Sequence, residues 1–195
     1  KLARAENRQF VIGAGGNEAQ GFMNETVYPA WAVNTSTDLQ TEGVYEAKKL
    51  ETLETIASGV ISTEDLVNMQ GSLLSEYSDD ATWMMHRLTW FNLLKLKTTQ
   101  NWPLFSMEFL ANGYPALHLL GEPVNLASDI STIASNSLSI AYGNFKEGYN
   151  IVDRMGINII RDQLTRKGFT KFYTTKRVGG GVTNFQSIKR LRIKA

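Results

Sequence analysis

LLGEPVNLASDISTIASNSLSIAYGNFKEGYNIVDRMGINIIRDQLTRKGFTKFYTTKRVGGGV, from Leu119 to Val182, decides how the chain is read. Its turn residues cut it into short strands. Leu117 and Leu119 before Gly121-Glu122-Pro123, and Val124 and Leu126 after it, alternate with other residues. Glycine permits the reversal and proline fixes one dihedral, so two strands around a tight turn are predicted. Leu138, Ile140 and Tyr142 repeat the period of two and stop at Gly143-Asn144. Ile151-Val152-Asp153-Arg154, a break at Met155-Gly156, and Ile157 with Ile159 beyond it have the spacing of a hairpin. A last pair, Phe169 to Val178 and Val182 onward, is divided by Gly179-Gly180-Gly181.

Upstream of this stretch the pattern changes to helices. Leu2 to Val11 is rich in good helix formers, with Leu2, Ala5, Gln9 and Ile12 near one stripe, and Gly13-Ala14-Gly15-Gly16 stops it. Phe10 to Gly15 also imitates the strand and glycine turn that opens a dinucleotide-binding unit. The third glycine of that pattern falls at position 18, which is Glu18, so a helix stop followed by a loop is the better reading and a small nucleotide-binding enzyme the weaker one. Tyr28 to Val33 reads as an edge strand, and Leu53 with Ile56 as a short strand or turn before Ser58-Gly59. Ser62 or Thr63 then caps a helix with Glu64 and Asp65 in its first turn. Leu66, Met69, Leu73, Leu74 and Tyr77 form its apolar face, and Ser78-Asp79-Asp80 ends it. Thr82 to His86 is a buried strand by composition, Thr89 to Leu96 a second helix on the same core, and Asn101 to Phe105 a closing turn.

Composition narrows the function. The chain has 195 residues, 43% of them hydrophobic, enough for one core or two joined lobes. Its net charge of +1 gives no electrostatic case for nucleic acid. Arg190, Arg192 and Lys194 share one face of a C-terminal strand by period two, which reads as a solvated edge. There is no cysteine, so neither a disulfide nor a thiolate site is available, which suits a reducing compartment. No apolar run approaches the roughly 20 residues of a membrane span and no signal peptide is visible, so a soluble chain without membrane contact is predicted. Lys1 stands in a running helix, which reads as the start of a fragment or processed product.

The residues offer no catalytic constellation. His86 and His118 are flanked by large apolar residues and read as hydrogen-bonded core histidines, without a third group at metal-ligand spacing. The carboxylate pairs Glu64-Asp65 and Asp79-Asp80 sit at expected helix ends, where capping explains them. Neither a nucleophile elbow nor a phosphate-loop lysine occurs. No catalytic, cofactor or metal residue is assigned, and the chain is read as a non-enzyme whose strands and hairpin tips serve protein–protein contacts.

The order LLGEPV, IAYGNFKEGYNIVDRMGINIIRD, KRVGGGV resembles the C-terminal half of tailed-phage major capsid proteins, the family with the Hong Kong ninety-seven fold. The likeness extends upstream. Phe10, Gly13, Gly15 and Gly21-Phe22 stand where that family ends its spine helix, and Trp83-Met84-Met85-His86 where its axial strand has tryptophan-x-methionine-asparagine. Gly143-Asn144-Phe145 and Arg177-Val178-Gly179-Gly180 each depart from the family pattern by one residue, an aspartate in both cases. The resemblance implies an α+β fold. An axial lobe with a mixed sheet flanked by helices would span 26–148, and a partial peripheral lobe would comprise the spine-helix end and loop (1–25) and the strands at 149–182. The final strand, 183–195, would return to the axial lobe. It further implies a head subunit that forms pentamers and hexamers of an icosahedral shell around double-stranded DNA. Scaffolding and portal proteins would be partners, DNA would be contents only, and the shell would be built in a bacterial cytoplasm as part of a virion. The family's N-terminal arm and extended loop would lie upstream of Lys1, and no lysine–asparagine crosslink is expected. Asp153, Arg154, Arg161 and Arg177 are the candidate assembly residues. An encapsulin-like compartment shell of the same fold is the alternative, to be distinguished by an enzyme cargo.

Overall fold

The computed structural model describes residues 2–16, 18–24, 50–96, 108–109, 115–162, 164–165 and 167–195. Helix α1 (Leu2–Ile12) comes first, then β1 (Glu51–Glu54), α2 (Thr63–Gly71), a 3-10 turn (Ser75–Tyr77), β2 (Thr82–Met85) and α3 (Arg87–Leu93). Next are β3 (Glu108–Phe109), β4 (Pro115–Ala116), β5 (His118–Leu119), β6 (Glu122–Leu126) and β7 (Leu138–Gly143). The chain ends with α4 (Phe145–Gly148), β8 (Tyr149–Asp162), β9 (Lys171–Val182) and β10 (Ile188–Arg192). The expected strand at Tyr28 to Val33 and turn at Asn101 to Phe105 lie outside the described residues.

Six strands form one mixed sheet in the order β1-β10-β7-β2-β6-β5. β1 and β10 are parallel, as are β2 and β6, and the other pairs are antiparallel. The β5–β6 hairpin turns at Leu120 and Gly121, both at positive φ (52° and 90°), one residue earlier than the sequence suggested. β7 is buried at every position, because the small residues Ser139 and Ala141 pack under one face while Ile140 and Tyr142 pack on the other. On the second face Tyr142 stacks on Trp83 with ring centroids 4.2 Å apart. Leu66 and Met69 of α2 and Trp90 and Leu93 of α3 close that layer. Val11, Phe22, Leu50 and Ile188 cover the other face.

Several expectations change. Helix α2 begins at its Ser62 cap, reinforced by Asp65, whose carboxylate accepts from the Ser62 and Ile56 amides at 2.7 and 2.8 Å. It stops at Gly71 rather than continuing to Tyr77, because Ser72 donates its hydroxyl back to the Met69 carbonyl, 2.8 Å, and Leu74 turns outward. The C-terminal basic strand is no solvated edge. β10 lies between β1 and β7, so Lys189 and Arg190 are only 1% and 3% exposed. Lys189 pairs with Glu51, and Arg190 donates to Thr52 Oγ1 (3.1 Å) and to the carbonyls of Phe22 and Leu50 (3.3 and 3.4 Å). Neither histidine is a core residue: His86 caps α3 by accepting the Leu88 amide at Nδ1, and His118 is exposed. Because 2–12 is a helix, no strand leads into Gly13 to Gly16, which removes the dinucleotide-binding reading.

Candidate assembly surface

β8 and β9 form a sheet of their own, paired antiparallel from Tyr149↔Val182 to Asp162↔Lys171. The turn expected at Met155-Gly156 is absent and β8 is one strand of 14 residues. Register shifts between Asp153 and Met155, and between Met155 and Asn158, absorb its two extra residues as bulges against the 12 of β9. Gly179-Gly180-Gly181 likewise does not split β9, because each glycine has a ladder partner on β8. The hairpin bend lies after Asp162, whose carboxylate is held below the usual range by the Thr165 hydroxyl and the Leu164 and Thr165 amides.

At its base the hairpin is joined to α1. Gln20 donates its amide to the Gly180 carbonyl (2.8 Å) and Tyr149 donates its hydroxyl to the Gln20 carbonyl (2.8 Å). Phe10 meets the Tyr149 ring edge-on at 6.1 Å. A side chain at Gly180 would overlap this joint, its Cβ falling 2.6 Å from Tyr149 Oη and 3.0 Å from Phe10 Cδ1. Tyr149→Phe is expected to lower stability by about 1 kcal/mol through the lost hydrogen bond, read as a shift of the urea midpoint at unchanged slope.

Higher up, Lys176 of β9 bridges Glu6 of α1 (3.2 Å) and Asp153 of β8 (3.3 Å). Its pKa is raised, chiefly by Glu6 and further by Asp153. A raised folded-state pKa means that this link is intact below the ordinary lysine range and is lost as the pH climbs through the folded value. Protection factors of the α1 and β9 amides, which remove the intrinsic rise of exchange with pH, are therefore expected to fall only in the alkaline range, and Lys176→Met to remove that fall.

Beyond the joint, among the described residues, both faces of the hairpin are exposed. Cross-strand partners share a face, so Ile159 with Thr174 and Arg161 with Phe172 stand on one side. Ile160 with Tyr173 and Asp162 with Lys171 stand on the other. Ile151, Val152, Met155, Ile157, Ile159, Ile160, Phe172 and Tyr173 are all exposed, Phe172 at 65%, and Leu164 beyond the bend reaches 93%. A two-stranded ribbon with no second layer is marginal in water, and a row of this size marks a contact surface.

The four candidate residues all fall on this hairpin. Asp153 belongs to the Lys176 link, Arg154 stands at the first bulge, Arg161 faces Phe172, and Arg177 is opposite Met155. Reading the sequence residue by residue missed Glu6, Lys176 and the apolar row, although Ile157, Ile159 and Ile160, interrupted only by Asn158, place apolar side chains on both faces of a strand. Among the described residues there is no cluster of three or more metal-ligating side chains and no helix long and apolar enough to cross a membrane.

Comparison with known proteins places this geometry. The model of the phage capsid family matches residues 1–193. The capsid of an empty GTA particle, computed with C5 symmetry, is 32% identical at a TM-score of 0.79, covering 100% of this chain and 63% of that one. The capsid of the native GTA particle is 29% identical at 0.84, covering 100% and 62%, so the chain spans under two thirds of these relatives. The SrpI encapsulin of Synechococcus elongatus PCC 7942 is 12% identical at 0.65, covering 99% of this chain and 61% of that one, a likeness of fold alone. No curated protein matches the chain. An α+β core with a mixed six-stranded sheet, a projecting two-stranded arm and a family match over all but the last two residues lead to one assignment: the chain belongs to the phage capsid family.

Proposed function

We propose that this chain forms the greater part of a head-shell subunit, which associates with copies of itself into five- and six-membered rings of an icosahedral shell around double-stranded DNA. The single observation that carries the reading is the exposed apolar hairpin in a chain of the phage capsid family, because such a surface marks a protein–protein contact. The C5 symmetry of the two GTA capsids supports rings as the form of association. In this reading the six-stranded sheet with α2 and α3 is the axial lobe, α1 with β8 and β9 belongs to the peripheral lobe, and β10 returns to the axial sheet. The role is structural, not enzymatic. Shell assembly in a bacterial host's cytoplasm, with scaffolding and portal proteins as partners, and incorporation into a virion complete it.

Negative-stain electron microscopy of the protein expressed with its natural flanking sequence tests this. Closed shells or five- and six-membered rings are expected. Dispersed monomers across a range of salt and crowding agent would reduce the likeness to one of fold. An enzyme, rather than DNA, inside the shells would favour a compartment of the encapsulin kind.

A further inference from the structure

The six-stranded sheet and the long hairpin are joined where β8 leaves α4 and β9 runs on toward β10. There the Gly148 amide donates to the Asn144 carbonyl (3.0 Å) and the Thr183 amide to the Gly148 carbonyl (2.9 Å). A ribbon held only at its root can swing about the few dihedrals found there. A second attachment away from the root fixes the angle, and the segment after α1 carries one.

Gly21 to Asn24 is bound to the end of α1. The Gly21, Phe22 and Met23 amides donate to the carbonyls of Gly13 (2.9 Å), Phe10 (3.4 Å) and Val11 (2.8 Å), and Asn24 Nδ2 donates to the Gly13 carbonyl (3.0 Å). These bonds satisfy carbonyls that a helix end leaves free. A Cβ at Gly21 would fall 2.5 Å from backbone atoms of Val11, Ile12 and Gly13, so the two pieces meet at backbone distance. Gln20 and Tyr149 tie the same segment to the hairpin, so α1, Gln20 to Asn24 and the hairpin form one body.

Arg190 reaches that body from the sheet. Its Nε donates to Thr52 Oγ1 and its Nη2 to the Leu50 carbonyl on the β1 side, while Nη1 donates to the Phe22 carbonyl on the α1 side. A guanidinium holds its donors in a rigid planar fork, so bonding to both sides at once admits one relative orientation. The apolar contacts across the same seam lack that directionality. They are the Phe22 ring on the Phe145 ring of α4, with centroids 5.2 Å apart, and the cluster of Val11 and Met23 with Leu138 and Ile188.

We propose that Arg190 is a positioning residue for assembly: its fork sets the angle between the six-stranded sheet and the body made of α1 and the hairpin. The proposal rests on the self-assembly reading, in which both parts meet neighbouring copies, so that this angle enters the curvature of the shell.

The chain has no cysteine, so Val67→Cys on α2 and Thr175→Cys on β9, both at exposed positions, provide one pair of spin labels across the seam. Electron–electron double resonance on the unassembled protein reads their separation, and a single narrow distribution is expected. Arg190→Lys keeps the charge and loses the fork. It is expected to widen the distribution about twofold while far-ultraviolet circular dichroism stays unchanged. Phe145→Leu removes the ring contact, leaves the fork and should keep the narrow width. Without labels and with the natural flanking sequence, Arg190→Lys is expected to give shells of mixed diameter where the unaltered protein gives one. A broad distribution in the unaltered protein, an equally narrow one in Arg190→Lys, or a widening by Phe145→Leu would each overturn the proposal. Should Arg190→Lys fail to fold, the unaltered protein and Phe145→Leu still decide between fork and rings. Shells of a single, unaltered diameter from an Arg190→Lys protein with a widened distribution would overturn the link to curvature. If the unaltered protein forms neither rings nor shells, the assembly reading fails, and the label distance, read without assembly, still tests the fork.

Discussion

Gly143→Ala is expected to destabilise the six-stranded sheet severely and to cut the yield of folded protein. Gly143 ends β7 at φ 148°, and a Cβ there would lie 2.0 Å from the Ser187 carbonyl oxygen and 2.8 Å from Ile188 Cα. Both are backbone atoms at the start of the neighbouring strand β10, so no side-chain rotation relieves the overlap. β10 would have to retreat by more than 1 Å, on the order of the whole gap, breaking the Asn144 amide to Ser187 carbonyl bond (2.9 Å) that ties the strands together. A cost of about 4 kcal/mol or more is expected, against a total stability of roughly 5–15 kcal/mol for a domain. Soluble yield and urea unfolding measure it. Gly156→Ala is the control, since its Cβ would meet nothing within 4 Å, and its effect should stay within about 1 kcal/mol.

Ile159→Glu with Phe172→Glu, on one face of the hairpin, is expected to abolish assembly without unfolding the six-stranded body. Ile160→Glu with Tyr173→Glu does the same on the other face. In a shell each pair loses about 3–6 kcal/mol of apolar burial per contact and adds carboxylates that resist desolvation. At 1.4 kcal/mol per factor of ten, the concentration needed for assembly should rise by at least about 100-fold. Far-ultraviolet circular dichroism and the thermal midpoint should barely change, because none of the four side chains belongs to a buried cluster. If one face proves tolerant, the hairpin is covered from the other side alone.

Most of the sheet was legible because its strands carry local signals. Leu119 to Leu126 has its glycine turn, Leu138 to Tyr142 its alternation, and Thr82 to Met85 its large β-formers. Ser62 and Asp65 announced the start of α2 through the capping box. What failed were inferences about partners rather than propensities. Lys189 and Arg190 look like edge residues until β1 is placed on the outer side of β10, which pairs residues 138 apart in the chain, as Glu51 with Lys189. Met155-Gly156 and Gly179-Gly180-Gly181 look like turns until each is seen to face the other strand, since ladder pairing can hold glycine extended despite its entropic cost. The candidate site was found as a region and not as chemistry. Asp153 was named, but its partner, Lys176, lies across the ladder at a bulge whose offset no local pattern announces.

The two bulges in β8 have a mechanical consequence. Sliding β8 along β9 by one residue would require both irregularities to migrate together, so the ribbon has a single length. Its 12-residue strand, at about 3.3 Å per residue, spans on the order of 40 Å. An arm of fixed length acts as a gauge: whatever meets its tip is held at a distance from α1 set by residue count. A deletion of one matched pair of residues from the two strands would therefore shorten that spacing by about 3 Å.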